Sequence, residues 1–385
     1  MNIFKVKIKP DFIKESLTMD DWMFVQESSE SFKKEWDVII PENAGFIYNK
    51  ESIDFVNSLG KNILIDCISS DYPISVTNFK HLLNQFSEKN IRLISPNLLL
   101  YGYDNHYFYD PKIRQQDFVL ERSKFFDESC LYSSKFLRPF KYLYLTSHPR
   151  LERIQILDFI FNNKLETEGQ IGFPSIEKID KNEFELCFGT HPAKDKEYVK
   201  SIKDETYNLP IIADFFRSET YGLNKKHKLW TSEGWVESNL ENGDFNFNLY
   251  SNSYVEIFSE TYFYGFGSVD TFLEDSRNEY LQVSEKTIKP IVNLLPFYCL
   301  TEAGYYRKLN EMGLNFNSKI YQYVDFDELN TGKEKLKRYN LSIYKLLTHS
   351  KDELHEMYYN SYEELLNNKY VFIKVLEKEL NNCFA

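Results

Sequence analysis

The chain lacks the short motifs that usually announce a metal or redox site. Its five cysteines (Cys67, Cys130, Cys187, Cys299 and Cys383) are scattered, odd in number and never paired as CxxC. Three lie in apolar runs, which points to buried free thiols in a reducing compartment rather than a disulfide framework. The seven histidines show no HxxxH or HxH spacing, so no metal site is read from them. No GxSxG or Walker sequence is present, and Gly265-Phe266-Gly267 is neither GxGxxG nor set between a strand and a helix. Positive charge is also in short supply. The net charge of -12 gives no global field for non-specific binding of nucleic acid or of an anionic membrane, although a local basic cleft for phosphate is compatible with it. No stretch approaches the roughly 18–20 apolar residues of a membrane span. The start, MNIFKVKIKP, has no apolar core of signal-peptide length, so a cytoplasmic protein is expected.

At 385 residues the chain exceeds one ordinary core, and two domains or one large α/β unit are expected. Hydrophobic residues make up 42%, enough for a real core. The aromatic share of 17% is mostly Phe and Tyr beside many Asn, Lys and Ile. An AT-rich coding source produces that pattern, so it carries little functional weight.

Apolar runs alternate with helical spacing along the first part. Phe4–Ile8 alternates, Trp36–Ile40 is a short run stopped by Pro41, and Ser52–Leu59 reads as a helical turn or two. Asn62–Cys67 reads as a buried strand, Val76–Phe86 as a helix, and Ile91–Ser95 as a strand stopped by Pro96. Such alternation implies a parallel sheet with βαβ crossovers. Phe140–Leu145 opens a new strand, and Leu151, Ile154, Leu157, Ile160 and Phe161 then share one helix face. A domain boundary is placed near Pro139, dividing the chain into 1–139 and 140–385. Short strands are expected at Phe184–Phe188, Pro210–Ala213, Lys228–Thr231, Tyr254–Phe258 and Pro296–Leu300, with a turn-rich segment over Tyr262–Gln282 and a helical tail from Ser342. This order fits two facing Rossmann-like α/β halves, and other two-domain α/β architectures as well.

Three constellations carry candidate chemistry. Thr146–Arg153 lies between a strand and an amphipathic helix, where a parallel sheet binds ligands beyond its strand ends and helix-start N–H groups favour anions. Arg150 and Arg153 share a helix face there and would clamp a diphosphate; two solvated arginines, one paired to an acid, give the same pattern. Ser284-Glu285-Lys286-Thr287 reads as an N-capped helix start. Glu285 is placed to accept hydrogen bonds from ribose hydroxyls and Lys286 to reach a phosphate, though a well-capped helix with no ligand has the same sequence. Asp66 and Asp71 bracket the end of the strand NILIDC, where a general base would sit, and Ser69-Ser70-Asp71 is equally a turn. His148, before Pro149, reads as a surface turn histidine, and Asp325-Phe326-Asp327-Glu328 resembles a DxD metal motif only in letters and reads as a solvated turn.

Three stretches also carry a resemblance. YLYLTSHPRLERIQILDFI looks like the strand–loop–helix that opens a donor domain, SYVEIFSETYF like the strand and acidic turn before a donor pocket, and VSEKTIKPIVNLLPFYCL with YYRKLNEMGLNF like a donor-binding signature. In order and spacing, residues 140–330 resemble glycosyltransferase-like proteins common in phages and large viruses. More distantly they resemble the α-1,3-fucosyltransferases of glycosyltransferase family 10. The resemblance implies a GT-B fold and an inverting, metal-independent transfer with a nucleotide-sugar donor as substrate and no further cofactor. It maps ribose and phosphate contacts onto Glu285 and Lys286, and the diphosphate arginine onto Arg150 or Arg153. Glu260, at the acidic turn, and Ser284 join the donor-binding set, and Asp71 is the match for the base. The acceptor is left open among a glycan, a protein and a modified nucleobase in viral DNA. Two rivals are a non-catalytic sugar-binding or virion-structural protein of the same fold and a GT-B type sugar-nucleotide epimerase. The donor-site reading expects Arg150, Arg153, Glu285 and Lys286 to converge, although they are far apart in sequence.

Overall fold

Strands and helices interleave along the chain, and among the described residues ten strands fall into two sheets. The computed structural model describes residues 38–41, 62–66, 76–85, 90–95, 97–104, 106–108, 137–145, 151–174, 227–231, 234–238, 250–260, 281–329 and 332–384. The mixed helix and parallel-sheet content is that of an α/β chain. The expected elements at Phe4–Ile8, Ser52–Leu59, Phe184–Phe188 and Pro210–Ala213 lie outside the described residues, as does nearly all of the turn-rich segment.

The chain divides into two compact units. The first comprises Met1–Pro111, Asn278–Gln282 and Ile373–Ala385; the second comprises Lys112–Arg277 and Val283–Phe372. The chain therefore crosses between units more often than a single cut near Pro139 implies.

In the first unit, β1 (Val38–Pro41), β2 (Asn62–Asp66), β3 (Asn90–Ser95) and β4 (His106–Phe108) form a parallel sheet in sequential order. Leu64 pairs with Ile39 on one side and Arg92 on the other. Runs such as Ile63-Leu64-Ile65 suit a strand packed on both faces, as parallel sheets require. Helix α1 (Val76–Gln85) lies between β2 and β3 in the chain. Its Phe79 is fully buried and meets the rings of Tyr103 and His106 edge-on. His106 accepts or donates one hydrogen bond with Ser95 Oγ at 2.9 Å, and burial pulls its pKa down to about 3, so the ring is neutral. Asn97 accepts from Leu281 N at 3.0 Å, which holds the returning chain at Leu281. Glu379, near the chain's end, accepts from Phe108 N at 3.1 Å.

In the second unit, β5 (Phe140–Leu145), β6 (Gly169–Pro174), β7 (His227–Thr231), β8 (Gly234–Ser238), β9 (Ser253–Ser259) and β10 (Phe297–Leu300) are ordered β10-β9-β5-β6-β7-β8. The first four in that order are parallel, and β7 and β8 extend the sheet antiparallel. Every residue of β9 and β10 is buried. Helices α2 (Leu151–Asn162), α3 (Glu285–Val292) and α4 (Tyr305–Glu311) follow or separate these strands. Helices α5 (Gly332–Leu347), α6 (Lys351–Asn360) and α7 (Tyr362–Phe384) form the helical end, with α7 counted in this unit only as far as Phe372. Ser350 and Glu353 make a reciprocal capping box at the start of α6.

The abundant tyrosines have a structural use. Tyr142, Tyr144, Tyr254, Tyr298, Tyr305 and Tyr339 are all fully buried. Four of the hydroxyls donate to backbone carbonyls: Tyr142 to Leu165, Tyr144 to Arg153, Tyr298 to Ile320, and Tyr339 to both Phe258 and Tyr298. A ring that fills space and a hydroxyl that ties backbone together let a buried polar tip be tolerated. Gly169 belongs to the same packing, because a Cβ there would lie 2.1 Å from the Tyr142 ring.

Candidate functional site

The strand order of the larger sheet reverses beside β5. The chain passes from β5 to β6 on one side and later returns to β9 and β10 on the other. In open α/β sheets, ligands bind outside the carboxyl ends of the strands at such a reversal. The residues that follow β5 and β9 are therefore the ones to inspect. They include Arg153 in the first turn of α2 and Glu260 one residue beyond β9.

Glu260 continues the sheet by donating its N–H to Leu300 O at 3.0 Å. Its side chain, 0% exposed, is taken up by the start of α3. It accepts from Ser284 N at 3.1 Å, from Ser284 Oγ, and from Thr287 Oγ1. Thr287 in turn hydrogen-bonds the hydroxyl of Tyr305, at the first position of α4. Ser284 is the N-cap of α3, and its Oγ accepts from Lys286 N at 3.2 Å. A buried carboxylate is tolerated here because N–H and O–H donors surround it and the positive end of a helix dipole faces it.

Lys286 is half-buried, with Nζ 3.5 Å from Ser284 Oγ. Arg153 is 2% exposed. Its guanidinium Nη2 donates at 3.5 Å to the carbonyls of both Ser259 and Glu260, and Nε lies 3.8 Å from Glu152 Oε1. Glu152 also accepts from Ser259 Oγ at 3.1 Å. Helix α2 is thus pinned to the end of β9 by both residues of its first turn. Lower on the same strand, Glu256 is buried, and burial pushes its carboxyl up to about 8, opposed by Lys289 and Lys286 and reinforced by Glu260.

The structure therefore gathers Arg153, Glu260, Ser284 and Lys286 at the carboxyl end of β9. Glu285 is the first residue of α3. Arg150, His148 and Asp71 lie outside the described residues. Glu260, expected among the donor contacts, has its carboxylate wholly enclosed and engaged by the protein donors of the helix start. One expectation needs correcting. The Asp325–Glu328 segment was expected to be a solvated turn, yet Asp327 is buried. Its two carboxyl oxygens accept from Tyr306 N and Arg307 N at 3.2 Å each, capping α4, and its carbonyl accepts from Lys335 Nζ at 2.8 Å. Burial holds the Asp327 carboxyl above its ordinary range and the Lys335 amine below its own.

Sequence reasoning assigned no role of their own to Glu152, Thr287, Tyr305 and Lys335. Only Thr287 carried a local signal, since it stands three residues after the cap and so on the same side of the helix. Among the described residues no group of three or more His, Cys, Asp or Glu side chains is placed to hold a metal ion. No helix among them is long and apolar enough to cross a membrane. Comparison with protein-family models, with curated proteins and with solved structures finds no match to this chain.

Proposed function

We infer that this chain is an inverting, metal-independent glycosyltransferase that takes its sugar from a nucleotide-diphosphate donor. The observation that carries the reading is that Arg153 and the Ser284–Lys286 helix start both converge on Glu260 at the end of β9, Arg153 on its carbonyl and Ser284 on its carboxylate, beside the reversal of strand order. These residues are remote in sequence, and a merely well-capped helix does not need a guanidinium on the backbone carbonyl of the residue whose carboxylate holds its start. The resemblance of residues 140–330 to phage and large-virus glycosyltransferases supports the same assignment. The finer architecture, two Rossmann-like halves of GT-B type, belongs to this reading.

In the proposed mechanism an acceptor hydroxyl attacks the anomeric carbon as the nucleoside diphosphate departs. Negative charge grows on the departing phosphate, so fixed positive groups act where they matter most. Lys286 meets the diphosphate directly. Arg153, enclosed as it is, contributes its field, and Arg150 stands as the alternative contact. Glu285 takes the ribose hydroxyls and Asp71 serves as the base that removes the acceptor proton. The acceptor is a glycan, a protein or a modified nucleobase.

A thermal-shift panel of UDP, GDP, CMP and their sugars tests the reading, because a ligand bound only by the native state raises apparent stability. A melting temperature unmoved by every member of the panel would refute it. The near-complete burial of Arg153 favours one rival, a protein of this fold that binds nucleotide-sugar without turning it over. Binding in the panel with no transfer or hydrolysis of the donor would decide for that rival.

A further inference from the structure

Thr301 follows β10 directly, and its side chain is 1% exposed. Its Oγ1 finds no hydrogen-bond partner among the described residues. A hydroxyl shut away from water without a partner works against folding, so its presence calls for a reason. Other unpartnered buried atoms on this sheet sit at strand beginnings, Gln170 Oε1 on β6 and Ser253 Oγ on β9, or in mid-strand, Glu256 Oε2 on β9. Thr301 differs in standing at a carboxyl end, where parallel sheets receive ligands. Leu300 pairs with Ser259, and Glu260 N donates to Leu300 O. Thr301 is thus set alongside Glu260, in the next strand out from β9.

The position also says which part of a ligand would arrive there. Arg153 comes from α2, after β5, on one side of β9. Helix α3 and β10 lie on the other side in chain and sheet order. A diphosphate held by Lys286 within the field of Arg153 would then have one end directed toward β10. We propose that Thr301 Oγ1 is a donor-recognition group that hydrogen-bonds the nucleoside end of a nucleoside diphosphate. This rests on the donor-site reading. A hydroxyl both donates and accepts, which suits the ribose hydroxyls and the polar edge of a base. On binding, the side chain gains the partner it lacks in the free protein.

The test compares wild type, Thr301→Val and Thr301→Ser by calorimetry with UDP, with GDP and with inorganic pyrophosphate, beside the melting temperature of each free protein. Valine keeps the shape and removes the hydroxyl; serine keeps the hydroxyl. Thr301→Val is expected to weaken the preferred nucleotide about three- to tenfold, the effect of one neutral hydrogen bond. It should leave pyrophosphate binding unchanged and melt no lower than wild type, and Thr301→Ser should bind nucleotide nearly normally. Unchanged nucleotide affinity in Thr301→Val overturns the assignment and leaves the donor-site reading standing. An equal loss for pyrophosphate, or a melting temperature several degrees lower, also overturns it, because the hydroxyl would then be structural. A wild-type protein that binds neither nucleotide removes the donor-site reading and this proposal with it.

Discussion

Glu260 offers the sharpest test of how the helix start is held. Its carboxylate accepts from three protein donors: Ser284 N, Ser284 Oγ and Thr287 Oγ1. Glu260→Gln keeps the shape and one carbonyl oxygen. That oxygen can still serve Ser284 N and Thr287, while the new amide N–H donates to Ser284 Oγ. The bonds survive, but the charge is gone. Charge-assisted hydrogen bonds contribute about 1.5–3 kcal/mol against about 0.5–1.5 for neutral ones, so a loss of roughly 1–2 kcal/mol is expected. Glu260→Ala is a different perturbation. It leaves three buried donors without an acceptor, at about 1–3 kcal/mol for each one left unpaired, so a loss of roughly 3 kcal/mol or more follows. Chemical denaturation measures the totals. Amide exchange over residues 284–288 measures the local effect, and there Glu260→Ala should lose protection before the rest of the sheet does. Wild-type stability and unchanged exchange at Ser284 and Lys286 in Glu260→Ala would refute the idea that this carboxylate fixes the start of α3.

Burial raises the Glu256 carboxyl to about 8 from an ordinary value of 4.5. The folded state therefore binds the extra proton between those values, and stability should fall as pH rises from about 5 to 8, by up to about 1.4 kcal/mol per pH unit. Glu256→Gln should flatten that slope in denaturation curves taken across the window, and an unchanged slope would exclude Glu256 as its source. Gly169→Ala would drive a Cβ into the Tyr142 ring, so a loss of about 1–3 kcal/mol is expected in the denaturation midpoint; a neutral result would show that the ring moves freely. Lys286→Ala should weaken nucleotide binding roughly ten- to a hundredfold by calorimetry, the loss of a charge-assisted phosphate contact. Asp71→Asn should keep that binding and lower transfer. Unchanged binding in Lys286→Ala would leave Ser284–Thr287 as a capped helix and nothing more.

Much of the local structure was legible from the residues alone. Strands at Phe140–Leu145, Tyr254–Phe258 and Pro296–Leu300 were read within a residue or so of β5, β9 and β10. Ser284 was read as an N-cap and is one. These features depend on residues one to four positions apart, a range at which side-chain periodicity and capping chemistry are written directly in the chain. Strand β6 escaped notice because GQIGFP carries two glycines and a proline, which weaken any strand pattern. Strand β4 is only three residues long.

Residues that gather at the carboxyl end of β9 were legible one by one, but not what each of them touches. Nothing local distinguishes an exposed Glu260 from one locked beneath a helix start, because its partners Ser284 and Thr287 lie 24 and 27 residues away. Asp327 looked like a solvated acid, but the first turn of α4, 20 and 21 residues earlier in the chain, donates to it. Composition likewise gave no purpose to the tyrosines, since the carbonyls their hydroxyls reach are set by which strands and loops become neighbours. A sequence thus determines where helices and strands form and which side chains stand near their ends. Only the order of strands in the sheet decides which of those ends meet, and so which charges are buried as struts and which are left to face a ligand.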